Sequence, residues 1–476
     1  MNAEPHPPGP RPDIPPGAPP GGARVLAVAC VGVFMIILDA TIVSVALPDI
    51  GADLGFAPGA LAWVVNAYTL AFAGTLLLAG RLVADHGTRA TFAAGLCVFG
   101  AASLACGLAP AAWVLVAARA AQGLGGAVVM PATLTMVTAA HPEPAARGRA
   151  LGLWSAVGAA GAAAGSVAGG VLTGLAGWPW VFLVNVPLTA LTVLAALRVP
   201  HGAAARPGRA RLDVAGAVLA TGGLVALVYG LLEGGTGGWS EPRVLAALAA
   251  APVALCLFLA HQARWAAAPL VPLGLFRSRP VSAANAVVFC LGLGFFASPV
   301  LLSLYVQQAL GYTPMRAGLA FLPAAAALFA GAQAAGRLTH RYGVRAVAAG
   351  GALLAAAGFA WLAGLGAHTA YWPAIALPQV LFGLGIGVAF TPITVAATSV
   401  PPDVAGVAAG VLNTVRQVAA AVGLAALSTV ATARSGGYGE AFLAAAVTAA
   451  TAAAGAASLL PARRPPERHR SGASGH

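Results

Sequence analysis

A single acidic residue lies deep inside an apolar segment of this sequence, where a carboxyl group could bind and release a proton. Asp39 is about fifteen residues from the start of its segment, which corresponds to roughly 22 Å along a helix. A carboxylate at the centre of a bilayer costs about 2.5–3.5 kcal/mol, so an acid at that depth needs a partner or a function. We expect Asp39 to take up and release a proton, because loss of solvent favours the neutral acid when the helices close around it. The alternative is a structural acid that is hydrogen-bonded to neighbouring helices.

Two basic residues also lie inside apolar segments. Arg119 stands among small residues of the fourth segment, and we expect it to change the proton affinity of the carboxylate as the helices move. Alternatively, Arg119 pairs helices by donating hydrogen bonds to backbone carbonyl groups. Arg416 is nearer to the cytoplasmic boundary of its segment, and its long side chain could simply extend to that boundary.

Polar and aromatic side chains on these apolar segments could contact an organic substrate. An apolar cavity with a few polar groups suits bulky, amphipathic molecules. The candidates for substrate binding are Asn66, Tyr68, Gln122, Asn185, Phe289, Tyr305, Gln308 and Asn413. Each of them could instead be a packing residue.

The composition indicates which elements hold these residues. Hydrophobic residues make up 59% of the chain and charged residues only 8%, whereas soluble domains carry about 25% charged residues. Stretches of about 20 apolar residues, enough to span a bilayer, follow one another along the chain. We therefore expect an all-α, polytopic protein of the cytoplasmic membrane that is surrounded by lipid.

Turn residues and charges divide the apolar sequence into fourteen predicted transmembrane helices. Their approximate limits are 25–48, 59–80, 90–109, 112–138, 148–174, 179–199, 213–233, 244–262, 281–309, 317–338, 346–367, 371–397, 404–430 and 440–460. With the N-terminus in the cytoplasm, twenty of the 25 arginines fall on the cytoplasmic side, and only Arg243, Arg316 and Arg434 fall outside. This agrees with the positive-inside rule and predicts that both termini are cytoplasmic.

An internal repeat divides the predicted helices into two sets. Residues 80–89 recur as 336–345, and residues 123–131 recur as 383–392, so spans 1–6 correspond to spans 9–14. Two six-helix halves around a midplane cavity are typical of alternating-access carriers. The predicted organisation is a disordered cytoplasmic tail (1–23), an N-terminal six-helix half (24–199), a linker with inserted helices 7 and 8 (200–279), a C-terminal six-helix half (280–460) and a basic cytoplasmic tail (461–476).

The sequence also excludes several functions. A P-loop requires a lysine on the nucleotide phosphates, and this chain contains no lysine. The net charge of +12 comes from arginines in short loops, which indicates membrane topology and not nucleic-acid binding. The five cysteines have no metal-binding or disulfide spacing. Nucleophile elbows and paired carboxylates are absent from the predicted spans, so we expect no enzyme, no metal and no cofactor.

Short motifs follow one another along these spans. They comprise residues 38–48, 80–89 and 119–125, the span-5 glycines Gly161, Gly165, Gly169 and Gly170, and residues 180–187, 305–308 and 413–417. Together they resemble the motifs of the major facilitator superfamily, specifically its 14-span drug:proton antiporter branch. The resemblance covers nearly all of residues 25–460.

The resemblance implies roles for two of these motifs. The loop motif comprises Gly80, Asp85, Gly87 and Arg89. Its charges would join helix ends and hold one gating state, and the span-5 glycines would be linked to antiport. Glycines at four-residue spacing also let helices approach closely in lipid. Two positions depart from the family pattern, because Ala84 stands where the loop acid is expected and Ser166 replaces a proline.

These observations predict a proton-coupled exporter of amphipathic small molecules such as drugs or antibiotics. The proton gradient would drive it by alternating access, as a monomer, with the protons and the small molecule as its ligands. One alternative is a dedicated exporter of a single metabolite or biosynthetic product. Another is a receptor or scaffold on the same fold that transports nothing.

Overall fold

The computed structural model describes residues 22–57, 60–198, 213–267, 269–366, 369–433 and 437–461. The predicted tails lie almost entirely outside these residues, as does most of the basic segment before span 7. Their predicted disorder and cytoplasmic location therefore remain predictions.

Helices account for the regular secondary structure of the described residues, as a lipid environment requires, because each backbone polar group must then be satisfied within its own segment. They are α1 (Gly22–Leu54), α2 (Trp63–His86), α3 (Thr88–Gly107), α4 (Ala112–Ala140), α5 (Pro144–Ala176), α6 (Trp180–Leu183), α7 (Asn185–Leu197), α8 (Val214–Gly237), α9 (Pro242–Arg264), α10 (Arg279–Leu304), α11 (Pro314–Leu319), α12 (Leu322–Tyr342), α13 (Val344–Leu362), α14 (Ala376–Ala397), α15 (Pro402–Thr432) and α16 (Tyr438–Leu459). Short 3₁₀ turns occur at Ala60–Ala62 and Leu273–Arg277, and a π-helical turn occurs at Tyr305–Ala309.

The all-α membrane fold is confirmed. Within the described residues, 13 helical segments are long and apolar enough to cross a bilayer. The remaining predicted span is α2, whose 24 residues would extend roughly 36 Å at helical rise. The chain is therefore a multi-pass membrane protein.

Prolines account for the largest errors in the predicted helix limits. The first span was predicted to end at Pro48, but α1 continues through this residue to Leu54. A transmembrane helix tolerates an internal proline because its neighbours can satisfy the freed backbone groups. Conversely, the predicted span 317–338 is interrupted after α11, and Pro323 lies in the first turn of α12. The predicted span 371–397 becomes helical only at Ala376.

Most of the helices form two bundles. The helices of each bundle are consecutive in sequence and pack against one another. In the N-terminal bundle (α1–α7), α1 packs along α5, and α4 packs against α2 and α3. In the C-terminal bundle (α10–α16), α14 packs against α12 and α13, and α10 packs against α15 and α16. The inserted helices α8 and α9 pair with each other, and α8 also contacts α2 and α15.

The two bundles are in direct contact at the outer end, meaning the end that the arginine distribution predicts to face outside. Gln307 Nε2 of the C-terminal bundle donates a hydrogen bond of 2.9 Å to the carbonyl oxygen of Val45 in α1. Close to this bond, Gly170 of α5 faces the backbone of Pro314 and Gly318 in α11. The two bundles are therefore closed against each other at this end.

A polar cluster around Asp213 joins the inserted helices α8 and α9 at the end of the protein opposite to this contact. Its carboxylate accepts hydrogen bonds from Gly216 N at 2.9 Å and Gln262 Nε2 at 2.6 Å, and His261 Nε2 lies 2.8 Å away. Gln262 Oε1 in turn accepts from Val271 N at 3.1 Å. This cluster joins the start of α8, the end of α9 and the connection to α10.

The Asp213 cluster predicts a pH-dependent contribution to stability. Burial opposes ionisation, but the hydrogen bonds from Gln262, Gly216 and His261 together hold the pKa of Asp213 below its ordinary value. A lowered folded-state pKa stabilises the protein above the unfolded pKa of about 3.9, and this stabilisation disappears as the pH falls further. We expect Asp213→Asn to lower the free energy of unfolding by about 1–3 kcal/mol at neutral pH.

Thermal unfolding in detergent at several pH values measures this effect. The difference between the wild type and Asp213→Asn should shrink below about pH 4. Glu241→Gln is the matched control, because Glu241 also precedes a helix but its side chain makes no capping hydrogen bond. A difference that stays constant from pH 7 to pH 3 contradicts the prediction.

Candidate functional site

The buried carboxylate of Asp39 is surrounded by donors from two other spans. Asp39 is completely inaccessible to solvent. Arg119 Nη1 donates to Asp39 Oδ2 at 2.7 Å, forming an ion pair between α1 and α4. Gln122 Nε2 and Asn185 Nδ2 each donate to Asp39 Oδ1 at 2.8 Å. The ionised carboxylate therefore has three hydrogen bonds and one opposite charge within the N-terminal bundle.

Arg119 also contacts α2 and α6. Its Nε donates to the carbonyl oxygen of Val64 at 2.9 Å. The guanidinium lies 4.4 Å from the ring centroid of Tyr68 and 5.6 Å from that of Phe182, which are cation–π distances. Arg119 therefore contacts both the carboxylate and a backbone carbonyl group, and its effect on the proton affinity of Asp39 remains a prediction.

Gln122 extends this network to α3. Its Nε2 also donates to Ser103 Oγ at 2.7 Å, and its Oε1 accepts from Arg119. Ser103 was not predicted as a site residue, although a buried hydroxyl in an apolar span is a signal that could have found it. Phe182 was also missed, although it lies in the 180–187 motif.

In this arrangement, the stability of the contact between α1 and α4 depends on whether Asp39 is ionised. Removing one partner of a buried ion pair costs about 3–5 kcal/mol, because the other charge remains buried and unpaired. Protonation of Asp39 removes its charge in the same way and leaves Arg119 without a counter-ion. Protonation would therefore favour a different arrangement of α1 and α4.

Three residues of the N-terminal bundle carry buried polar atoms without hydrogen-bond partners in the described structure. They are both amide atoms of Asn66, the hydroxyl of Tyr68 and Oδ1 of Asn185. Each such atom costs about 1–3 kcal/mol. These atoms are therefore candidates for contacts that form when the helices rearrange.

The predicted substrate residues do not form one cluster. Tyr68, Gln122 and Asn185 surround the ion pair, as described above. Tyr305 and Gln308 lie instead at the outer end, where Tyr305 Oη donates to the Gly366 carbonyl at 2.6 Å and Gln308 accepts from Tyr438 at 3.1 Å. Phe289 is half-buried in α10, and Asn413 is exposed on α15.

The loop motif joins α2 to α3 through a glycine that the turn requires. Gly87 has a φ of 84°, a conformation that residues with a Cβ rarely adopt. Arg89 Nη2 donates to the carbonyl oxygen of Leu197 at 2.6 Å, at the end of α7. An added Cβ at Gly80 would meet no atom within 4 Å. The side chain of Asp85 lies outside the described residues, so its gating role remains a prediction.

The repeat of this motif makes the equivalent contact. Gly343 has a φ of 87° between α12 and α13. Arg345 Nε donates to the carbonyl oxygen of Leu460 at 2.7 Å, after the last helix of the C-terminal bundle. Each bundle therefore ties the loop after its second span to the end of its last span.

The four glycines of α5 face two different neighbours. A Cβ added at Gly161, Gly165 or Gly169 would collide with backbone carbonyl oxygens of α1, namely those of Phe34, Leu38 and Ile42. Gly170 faces the other bundle, and a Cβ there would lie 2.5 Å from the Pro314 carbonyl oxygen. Three of the glycines permit packing within the N-terminal bundle, and Gly170 permits contact between the bundles.

Many membrane-spanning helices around a buried, charge-compensated carboxylate define a polytopic membrane transporter. The chain belongs to the Major Facilitator Superfamily, whose profile matches residues 29–424. The family resemblance of the sequence motifs is thereby confirmed, and the members of this family are transporters and not enzymes.

Curated relatives and solved structures agree with this assignment. The chain is 42% identical to the cephamycin export protein CmcT of Amycolatopsis lactamdurans, over 89% of each chain. It is 39% identical to the puromycin resistance protein pur8 of Streptomyces alboniger, over 87% of this chain and 82% of the relative. The crystal structure of a D-xylose-proton symporter matches with a TM-score of 0.65 at 14% identity, over 92% of this chain and 98% of that chain. At this identity the structural likeness shows the fold alone.

Proposed function

We propose that this protein exports amphipathic small molecules, antibiotics among them, across the cytoplasmic membrane in exchange for protons. The observation that carries the proposal is the ion pair of Asp39 and Arg119, which is buried in a bundle closed on the outer side. The relatives support the direction and the type of substrate, because one is an export protein for cephamycin and another confers resistance to puromycin.

The exchange of protons for substrate follows from the two charge states of Asp39. Ionised Asp39 holds α4 and α7 through Arg119 and Asn185. Protonation from the outer side weakens these contacts, and release of the proton to the cytoplasm restores them. Both events require exposure of a carboxyl group that is inaccessible in the structure, so proton transfer is tied to movement of the bundles.

The proton gradient supplies enough free energy for this cycle. A proton that enters the cell releases about 2.3 kcal/mol per 100 mV of membrane potential. Each unit of pH difference adds about 1.4 kcal/mol. The protein therefore needs no cofactor, and both termini face the cytoplasm in this proposal. A single chain contains the whole ion-pair network, so the protein acts as a monomer.

Two other functions make different predictions. A dedicated exporter of one metabolite would move protons with a single compound, whereas a multidrug exporter would respond to several unrelated amphipathic compounds. A receptor or scaffold on this fold would bind a ligand without flux. One relative is named as an export protein for a single compound, cephamycin, which makes the first of these the closer alternative.

Proton release from inverted membrane vesicles tests the proposal. Vesicles that contain the protein are acidified inside by respiration, and amphipathic compounds are added while the internal pH is followed with a fluorescent dye. We expect compound-dependent loss of the acid interior, with no response in vesicles from cells that lack the protein. The proposal is wrong if no compound moves protons in vesicles that contain the folded protein.

A further inference from the structure

The C-terminal bundle contains a charge that the proposed proton exchange does not use. Arg416 lies on α15, and its side chain is partly accessible. Among the described residues, no carboxylate forms an ion pair with Arg416. Asp403, whose side chain is not described, is about thirteen residues away on the same helix, or roughly 20 Å at helical rise. Glu440 lies at the opposite, outer end, at the start of α16.

The guanidinium of Arg416 contacts neutral groups in the part of the chain that the structure describes. Its Nη2 donates to Thr394 Oγ1 at 2.9 Å, and its central carbon lies 4.8 Å from the ring centroid of Phe390. Its Nε is buried and has no hydrogen-bond partner in the described structure. A charged group with a buried donor that lacks a hydrogen-bond partner is costly unless an anion approaches it. Arg416 therefore does not simply extend to the aqueous boundary.

A cluster of three phenylalanines lies beside this cation. The ring of Phe390 is 5.5 Å from that of Phe295 and 6.3 Å from that of Phe296, and the latter two are 5.0 Å apart. All three side chains are half-buried, so part of each ring surface is available. An aromatic surface next to an unpaired guanidinium suits a molecule with an apolar ring system and one anionic group.

The internal repeat shows how the two bundles differ. The offset that relates Gly123 to Gly383 relates Arg119 to Gln379, which is completely buried and has no hydrogen-bond partner in the described structure. The position in the C-terminal bundle that corresponds to Arg119 is therefore neutral, and the cation Arg416 lies on another helix. No described carboxylate of this bundle balances the charge of Arg416, which a bound anion would balance.

We propose that Arg416, Thr394 and the three phenylalanines form a subsite for amphipathic organic anions, with Arg416 binding a carboxylate and the phenylalanine rings binding the apolar part. This proposal rests on the proposed export function and specifies its substrate class. Arg416 lies at the middle of α15, and the bundles are in contact at the outer end, so an anion loads from the cytoplasm. Cationic compounds are disfavoured at this subsite by charge repulsion.

Matched fluorescent probes test the subsite in the purified protein. 1-Pyrenebutyrate, its methyl ester and 1-pyrenebutylamine share one aromatic body and differ in charge. Binding to protein in lipid nanodiscs is measured by energy transfer from tryptophan to pyrene. We expect the wild type to bind the carboxylate about tenfold more tightly than the ester. Arg416→Gln should remove this preference and leave the ester affinity within about twofold.

Two further variants separate the subsite from a structural role of Arg416. Arg316→Gln removes an exposed arginine of the same bundle, which lies 3.8 Å from the Tyr312 ring centroid, and should leave all three affinities unchanged. If Arg416→Gln does not fold, Arg416→Lys is measured instead. This variant keeps the charge and should retain part of the preference for the carboxylate. Equal weakening of all three probes, or a wild type without preference for the carboxylate, overturns the proposal.

The proton assay distinguishes failure of the subsite from failure of export. If the ester moves protons in vesicles and the carboxylate does not, export stands and the anion subsite is wrong. If the carboxylate binds through Arg416 but no probe moves protons, the subsite stands and proton-coupled export is wrong.

Discussion

Replacing Asp39 by asparagine is expected to reduce substrate-dependent proton movement to the background of vesicles that lack the protein. Asparagine keeps the size of the side chain and one acceptor for Gln122 and Asn185, but it cannot take up and release a proton. Coupling must fail if the carboxyl group of Asp39 carries the exchanged proton. The internal pH of inverted vesicles after addition of substrate is the measurement.

A second acid on the same helix provides the control. Asp49 lies further along α1 and is only partly buried, outside the network of Asp39 and Arg119. Asp49→Asn should leave proton movement close to that of the wild type. Full coupling in Asp39→Asn would show that Asp39 is a structural acid.

Stability measurements separate coupling from folding. Asp39→Asn leaves Arg119 buried without a counter-ion, which should lower the free energy of unfolding by about 3–5 kcal/mol. Combining Asp39→Asn with Arg119→Gln removes both charges and should recover much of this loss. The double variant should nevertheless show no coupling, and thermal unfolding in detergent checks the recovery.

Substituting Gly170 by alanine is expected to open the outer side of the protein. The added Cβ would lie 2.5 Å from the carbonyl oxygen of Pro314 and 3.2 Å from Cα of Gly318, so α5 and α11 must move apart. Overpacking of this kind costs about 1–3 kcal/mol, which changes the ratio of two conformations about 5–150-fold. The cost falls only on the conformation in which the bundles touch.

Labelling of a buried outer residue measures this shift. Ala431 is 8% exposed near the outer end of α15. In a variant whose five native cysteines are replaced, Ala431→Cys should react with an impermeant maleimide faster when Gly170→Ala is present. Gly152→Ala is the control, because its Cβ would meet no atom within 4 Å. Unchanged labelling in Gly170→Ala would mean that this contact does not keep the outer side closed.

Gly169→Ala distinguishes closure from packing within a bundle. Its Cβ would collide with the carbonyl oxygen of Ile42, which belongs to the same bundle. Gly169→Ala should therefore lower thermal stability in either conformation. The adjacent glycines 169 and 170 thus have different predicted effects, which the sequence motif alone does not distinguish.

The sequence by itself determined the transmembrane helices and identified the charged residues that lie inside them. Long apolar stretches specify transmembrane helices because a helix forms all of its backbone hydrogen bonds within one segment, as lipid requires. Asp39 and Arg119 could be identified singly, since a charge inside an apolar stretch carries a large desolvation cost. The turn glycines Gly87 and Gly343 were likewise found from the repeated motif, and both have positive φ.

Only the tertiary structure decided which of these residues meet. Asp39 and Arg119 are 80 residues apart in sequence, and Asn185 is 146 residues from Asp39. In a soluble helix the apolar face marks the side that packs, but in lipid the exposed and packed faces are both apolar, so composition does not reveal the orientation of a helix. Close packing at small residues contributes to the orientation of a helix, as at Gly165, where an added Cβ would collide with the carbonyl oxygen of Leu38 in α1.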